Sequence, residues 1–232
     1  MRLTKLLLLT LSTVALVACG GGGGGGGDSA APAVTSFPLL AGYKALTAAG
    51  GTNNYAVTGS CSGSATIADG VAVAASFEGV NGYSTTSTAT VNVTNCTPAS
   101  NSSSNTTYYD ANYTPLGSST PGSEYAKVVT VPPPLPASVK VGDAGAYATL
   151  TVYADGTKAT VTGSRTFSFA VEADTPSTAI VNLIAKDYDT SNTLLFTQQS
   201  RYRIAADGKL TSTTIDLQYS TTSTFHLLLT KV

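Results

Sequence analysis

The chain has 232 residues, 42% of them hydrophobic and only 11% charged, with a formal net charge of −1. Ordinary domains carry roughly 25% charged residues, so coiled coils and most helix-rich folds, whose wet faces need Glu, Lys and Arg, are disfavoured. Twelve cations against 13 acids supply no clustered charge for phosphate contacts, which argues against a nucleic-acid partner. A near-average hydrophobic fraction argues against disorder throughout. Ser and Thr together number 62, and the composition that remains is that of a Ser/Thr-rich β protein.

The first segment reads MRLTKLLLLTLSTVALVAC. Arg2 and Lys5 form a basic start, and Leu6 to Val17 is apolar except for Thr10, Ser12 and Thr13. An ordinary membrane span needs about 20 apolar residues, so this stretch fits a secretory signal core instead. Leu16-Val17-Ala18-Cys19 resembles the lipobox of bacterial lipoproteins. That resemblance implies cleavage after residue 18, acylation of Cys19, and anchorage in the lipid bilayer, since several acyl chains hold a protein firmly at about 0.8 kcal/mol per buried methylene.

Eight glycines, Gly20 to Gly27, follow. A glycine run has no side chains to pack and great backbone freedom, so residues 19–36 read as a flexible tether on the order of 20 Å long. Lipoproteins of this kind that stay in the inner membrane often carry Asp after the Cys. Here that position is Gly20, so the resemblance implies the outer membrane, with the body facing the periplasm or the cell surface. In an oxidising compartment the remaining thiols, Cys61 and Cys96, are expected to pair. Their loop of about 36 residues would be worth roughly 4 kcal/mol.

Residues 37–99 read as an N-terminal β block. Candidate strands are 55–61, 64–67, 73–77 and 88–95, with Asp69-Gly70 and Asn81-Gly82 as turn signals. Residues 98–122 are Ser, Asn, Thr, Pro and Gly around Tyr108, Tyr109 and Tyr113, and read as a long loop. Val131-Pro-Pro-Pro-Leu-Pro136 is expected to be extended and excluded from a central strand, because Pro donates no ladder bond. Residues 100–136 are therefore expected to connect two blocks.

Alternation sharpens over residues 137–232. Phe167, Phe169 and Val171 share one face. Leu194, Phe196, Tyr202 and Ile204 share another, opposite Thr197, Gln199, Arg201 and Arg203. Residues 148–153, 215–219 and 225–230 alternate likewise, while 179–185 are apolar on both faces and read as a central strand. Asp155-Gly156 and Asp207-Gly208 mark tight hairpins, and 187–192 a longer polar turn. Period two with one polar face means half-exposed antiparallel strands. The expected fold is an all-β antiparallel meander, forming a sandwich or a half-open barrel, in one unit or two blocks.

Catalytic constellations are poorly supported. His226 is the only histidine and sits opposite Phe225, Leu227 and Leu229 in a strand pattern, which reads as a surface position. Gly59-Ser-Cys-Ser-Gly63 imitates a nucleophile elbow but lacks the following helix that motif requires. The acids and amides of 187–192 depart from the EF-hand pattern, with Asn192 where Gly is needed and Gln198 where Glu is needed. Glu172 and Asp174 form a possible acid pair whose spacing fixes nothing. No catalytic residue, metal or cofactor is expected. Tyr108, Tyr109 and Tyr113 stand as the candidate binding surface, since exposed tyrosines give large rigid contact area. They could equally fold back over the core.

Beyond its signal the body resembles Gram-negative envelope lipoproteins. The expected role is a non-catalytic binding, adhesion or structural module whose partner is an envelope protein or a glycan. The runner-up is an accessory subunit of an envelope complex, docking by a strand edge or the Tyr-rich loop. A periplasmic hydrolase is less favoured.

Overall fold

The computed structural model describes residues 33–220 and 225–232. The signal, Cys19 and the glycine run lie outside the described residues. One helix, α1 (Leu39–Ala49), precedes thirteen strands: β1 (Gly51–Gly59), β2 (Ser62–Asp69), β3 (Val73–Phe77), β4 (Val80–Thr94), β5 (Ser100–Asp110), β6 (Pro115–Thr120), β7 (Glu124–Val128), β8 (Ala144–Tyr153), β9 (Val161–Thr175), β10 (Thr178–Tyr188), β11 (Leu194–Ala205), β12 (Leu210–Tyr219) and β13 (Phe225–Lys231).

The protein is all-β. From β4 to β13 each strand pairs with its sequence neighbour, an antiparallel meander. β13 then pairs with β1, β1 with β2, and β2 with β4. That last pairing closes twelve strands into a barrel and leaves β3 as an extra strand. Closure removes the sheet edges that an open meander would expose. The disulfide joins Cys61 and Cys96 just past Ser62↔Thr94, so it staples the closing seam at its end.

Residues 100–128, expected as a connection, instead build β5, β6 and β7. β5 carries Ser102, Ser104 and Thr106 outward and Ser103, Asn105 and Thr107 toward the interior cavity. Both faces are polar, so no contrast of period two survives in the sequence. Val131–Pro136 is indeed outside any strand. The strands of both expected blocks therefore belong to a single sheet.

Asn81-Gly82, expected as a turn, lies within β4. The hairpin turns instead at Glu78 (φ 51) and Gly79 (φ 83), between the paired Phe77 and Val80. Two successive positive φ values match the right-handed twist of the flanking strands. The tip folds back over the outer wall. Phe77 stacks between Tyr108 and Tyr125, and a Cβ at Gly117 would sit 2.5 Å from its ring. Only glycine at position 117 leaves room for that ring.

Helix α1 has Leu39, Tyr43 and Leu46 on one face and Ala41, Ala45 and Ala49 exposed on the other. It lies across one end of the barrel as a plug. Its N-terminal part is fixed by the Phe37↔Val139 bridge and by Gly42, where an added Cβ would come within 2.0 Å of the Gly208 carbonyl. Its C-terminal part meets the β2–β3 connection, where Ala72 N–H donates to the Ala48 carbonyl at 3.1 Å.

Two apolar clusters fill most of the interior. One, beneath α1, includes Phe37, Leu39, Leu150, Val181 and Ile204. The other, behind the seam, includes Val57, Ile67, Val91, Ile215, Leu227 and Leu229. Fully burying such side chains is worth about 1.5–3 kcal/mol each. The outer wall is different. Thr86 meets Thr106, Thr88 meets Ser104, and Thr90 meets Ser102 across β4 and β5. These hydroxyl rows are the reverse of the apolar band that a lipid-facing barrel carries outward.

Candidate ligand site in the barrel lumen

A twelve-stranded barrel is wider than an eight-stranded one, whose side chains can just fill it. Here the surplus is a cavity of about 350 Å³ between the two apolar clusters. Its lining draws on α1 and on ten of the twelve barrel strands, all but β7 and β13. Tyr43, Tyr55, Tyr109, Tyr147 and Tyr202 face it, with Phe167 packed against Tyr147 at 5.7 Å between ring centres. The lining reaches exposed backbone at Asp69 and Gly70, beside the C-terminal end of α1.

The inward row of β11 explains the polar middle. Phe196, Gln198, Ser200, Tyr202 and Ile204 point inward, so two polar residues sit where the pattern otherwise demands apolar ones. Gln198 is 9% exposed and donates through Nε2 to Ser200 Oγ at 2.7 Å, but its Oε1 has no partner. Ser118 is 7% exposed, and its hydroxyl is likewise unpartnered. A buried polar atom left without a bond costs about 1–3 kcal/mol. By contrast, Tyr55 is satisfied, its hydroxyl lying 2.8 Å from Ser212 Oγ.

Burial raises the Tyr43, Tyr109, Tyr147 and Tyr202 hydroxyls above the ordinary phenol range. They stay protonated and act as neutral groups. The negative charge of Asp69 adds to the rise at Tyr55, Tyr109 and Tyr202.

The far side of the cavity is closed by charge. Arg165 on β9 sits directly opposite Asp187 on β10. Its Nε donates to Asp187 Oδ1 at 2.6 Å and its Nη2 to Oδ2 at 2.8 Å, while Nη1 lies 3.0 Å from Glu124 Oε1. Burial pulls the guanidinium down, but Asp187 and then Glu124 outweigh that and hold it above its ordinary value. One buried cation thus serves two carboxylates, and no positive charge is left for an anion.

The residues singled out from sequence go to different places. Tyr109 lines the lumen, whereas Tyr108 stacks on Phe77 outside and Tyr113 stacks on Tyr83 at 4.8 Å. Tyr109 and Tyr113 are neighbours, 6.1 Å apart between ring centres, while Tyr108, adjacent to Tyr109 along the strand, points to the opposite face. Cys61 is bonded to Cys96, which removes the elbow-like motif from thiol chemistry. His226 Nε2 lies 2.8 Å from Asp216 Oδ1 on a neighbouring strand. Glu172 pairs with Arg201 and Asp174 with Arg203, each with its own cation. Asp189 caps its own turn by accepting from the Ser191 and Thr193 N–H groups, and Asp187 turns inward to Arg165.

No protein-family model matches the chain, and no curated protein or solved structure shows significant similarity to it. The lumen is thus read on its own chemistry. Four of its five tyrosines, together with Gln198 and Ser118, escaped the sequence reading. The polar pair Gln198 and Ser200 between Phe196 and Tyr202 was the signal that could have found it.

Proposed function

We propose that this chain is a non-catalytic binding module that holds a small molecule inside its barrel. The supporting observation is the cavity itself, with two buried polar atoms, Gln198 Oε1 and Ser118 Oγ, that have no partner among the described residues. Ligand sites are typically enclosed, largely apolar spaces of about 300–1,000 Å³ with a few placed polar groups. Among the described residues, no nucleophile, base and orienting group converge in the lumen, which favours binding over turnover.

The lipobox resemblance supports a module at the cell envelope, held by acylated Cys19 and the glycine run. The polar outer rows of β4 and β5 support a barrel standing in water beside the membrane. A second reading, an accessory subunit of an envelope complex, draws on β3. That strand pairs on one side only and opens on exposed Val73, with exposed Val71 just before it, a template for a partner strand.

The test is a thermal-shift screen of a metabolite library against the full chain and against Ser200→Phe, which fills the lumen. Compounds that raise the melting temperature of the parent but not of the filled variant support the reading. A folded parent with no such compound overturns it. Intact-mass measurement from membranes tests the placement, with a chain beginning at acylated Cys19 as the expected result.

A further inference from the structure

Resting on that reading, we infer that the lumen is built for an organic cation with N–H donors: a small primary ammonium compound carrying an apolar or aromatic body. Three independent features of the cavity converge on this class.

The first is hydrogen-bonding polarity. The unpartnered Oε1 of Gln198 can only accept, and the unpartnered Ser118 hydroxyl can accept as readily as donate. An ammonium group is donor-only, with three N–H bonds to give. An aliphatic chain or a fatty acyl tail would leave both atoms stranded.

The second is charge. Among the described residues, the charged groups of the lining are Asp69 at its exposed rim and Arg165 at its floor, and Arg165 is paired behind the lining with Asp187 and Glu124. One guanidinium against three carboxylates leaves two net negative charges. The helix's own lysine, Lys44, donates to Asn112 Oδ1 at 3.3 Å and is not part of the lining. A carboxylate or phosphate ligand would enter against this field, whereas an ammonium enters with it.

The third is the wall. Five tyrosines and Phe167 supply aromatic surface around a space of about 350 Å³. A cation within about 6 Å of an aromatic face is attracted to it, and more strongly where water is excluded. The same surface stacks on the aromatic body of a ligand.

The experiment is isothermal titration of the full chain with tyramine, with 4-ethylphenol, which is tyramine without its ammonium group, and with maltose. Tyramine is expected to bind one per chain and at least tenfold more tightly than 4-ethylphenol. Gln198→Leu should weaken tyramine at least tenfold without changing the weaker phenol binding. Asp69→Asn, an exposed rim position whose change does not threaten folding, should weaken tyramine several-fold. Raising salt should do the same.

Equal or tighter binding of 4-ethylphenol, or binding of maltose in place of tyramine, would overturn the cation class while leaving the lumen as a binding site. No heat from any of the three probes would also overturn it. The thermal-shift screen then decides the broader reading separately. Tyramine binding that survives in Ser200→Phe would place the site elsewhere and sink the inference.

Discussion

Two layers of the same lumen bury polar side chains in opposite ways. At the floor, Arg165 is enclosed by Asp187 and Glu124, with most of its donors engaged. Toward the helix, Gln198 and Ser118 are as well enclosed, yet each carries an atom with nothing to bond. The floor is a finished network that fixes structure. The tyrosine layer is unfinished, and a ligand would finish it. Burial is thus alike in the two layers, and the state of the hydrogen bonds is what differs.

Substitution should separate the two layers in size and in sign. Arg165→Met leaves two half-buried carboxylates without their cation and should cost about 3 kcal/mol, read from urea denaturation. A further change of Asp187 and Glu124 to apolar residues should recover much of that loss. Tyr55→Phe, in the upper layer, leaves Ser212 Oγ unpaired and should cost about 1–2 kcal/mol by the same measurement.

Glu78 on the outer wall offers a solvated counterpart to the floor. Its carboxylate meets Lys127 at 2.8 Å and Lys158 at 2.7 Å, and accepts from the Tyr125 hydroxyl at 2.6 Å. Bonds from Lys127, Lys158 and Tyr125, in that order, depress its pKa from 4.5 to about 2. A lowered folded-state value means that its contribution is complete above pH 4.5 and is lost as the pH falls toward 2. Because water screens this site, the contribution should be about 1 kcal/mol or less. Glu78→Gln should flatten that part of the profile of melting temperature against pH.

Ser118→Ala should have the smallest effect and the opposite sign. It removes an unpartnered hydroxyl and should leave stability unchanged or raise it by up to about 1 kcal/mol. A clear loss would show that the hydroxyl is already satisfied in the empty protein.

The strands of the second half were legible because their two faces differ. Along β9, Phe169 and Val171 are buried while Glu172 meets solvent and its cation. β5 was illegible because its inward row, Ser103, Asn105 and Thr107, is as polar as the outward row that faces water. Helix α1 was also missed, although Pro38 followed by Leu39, Tyr43 and Leu46 carries a helical spacing with an apolar face. The lumen could be seen only as two polar residues in the core-facing row of β11. What they line depends on the diameter of the closed barrel, which arises from pairings between strands far apart in sequence.

The pairing of β1 with β13, as in Tyr55 opposite Lys231, has a consequence for biosynthesis. A nascent chain emerging amino end first displays β1 long before its far partner exists. Contacts of such sequence separation form slowly, and an unpaired strand invites aggregation in the interval. The early strands therefore stay without their closing partner until Phe225–Lys231 arrives. A polypeptide halted before Phe225 should accumulate as a chaperone client or be degraded.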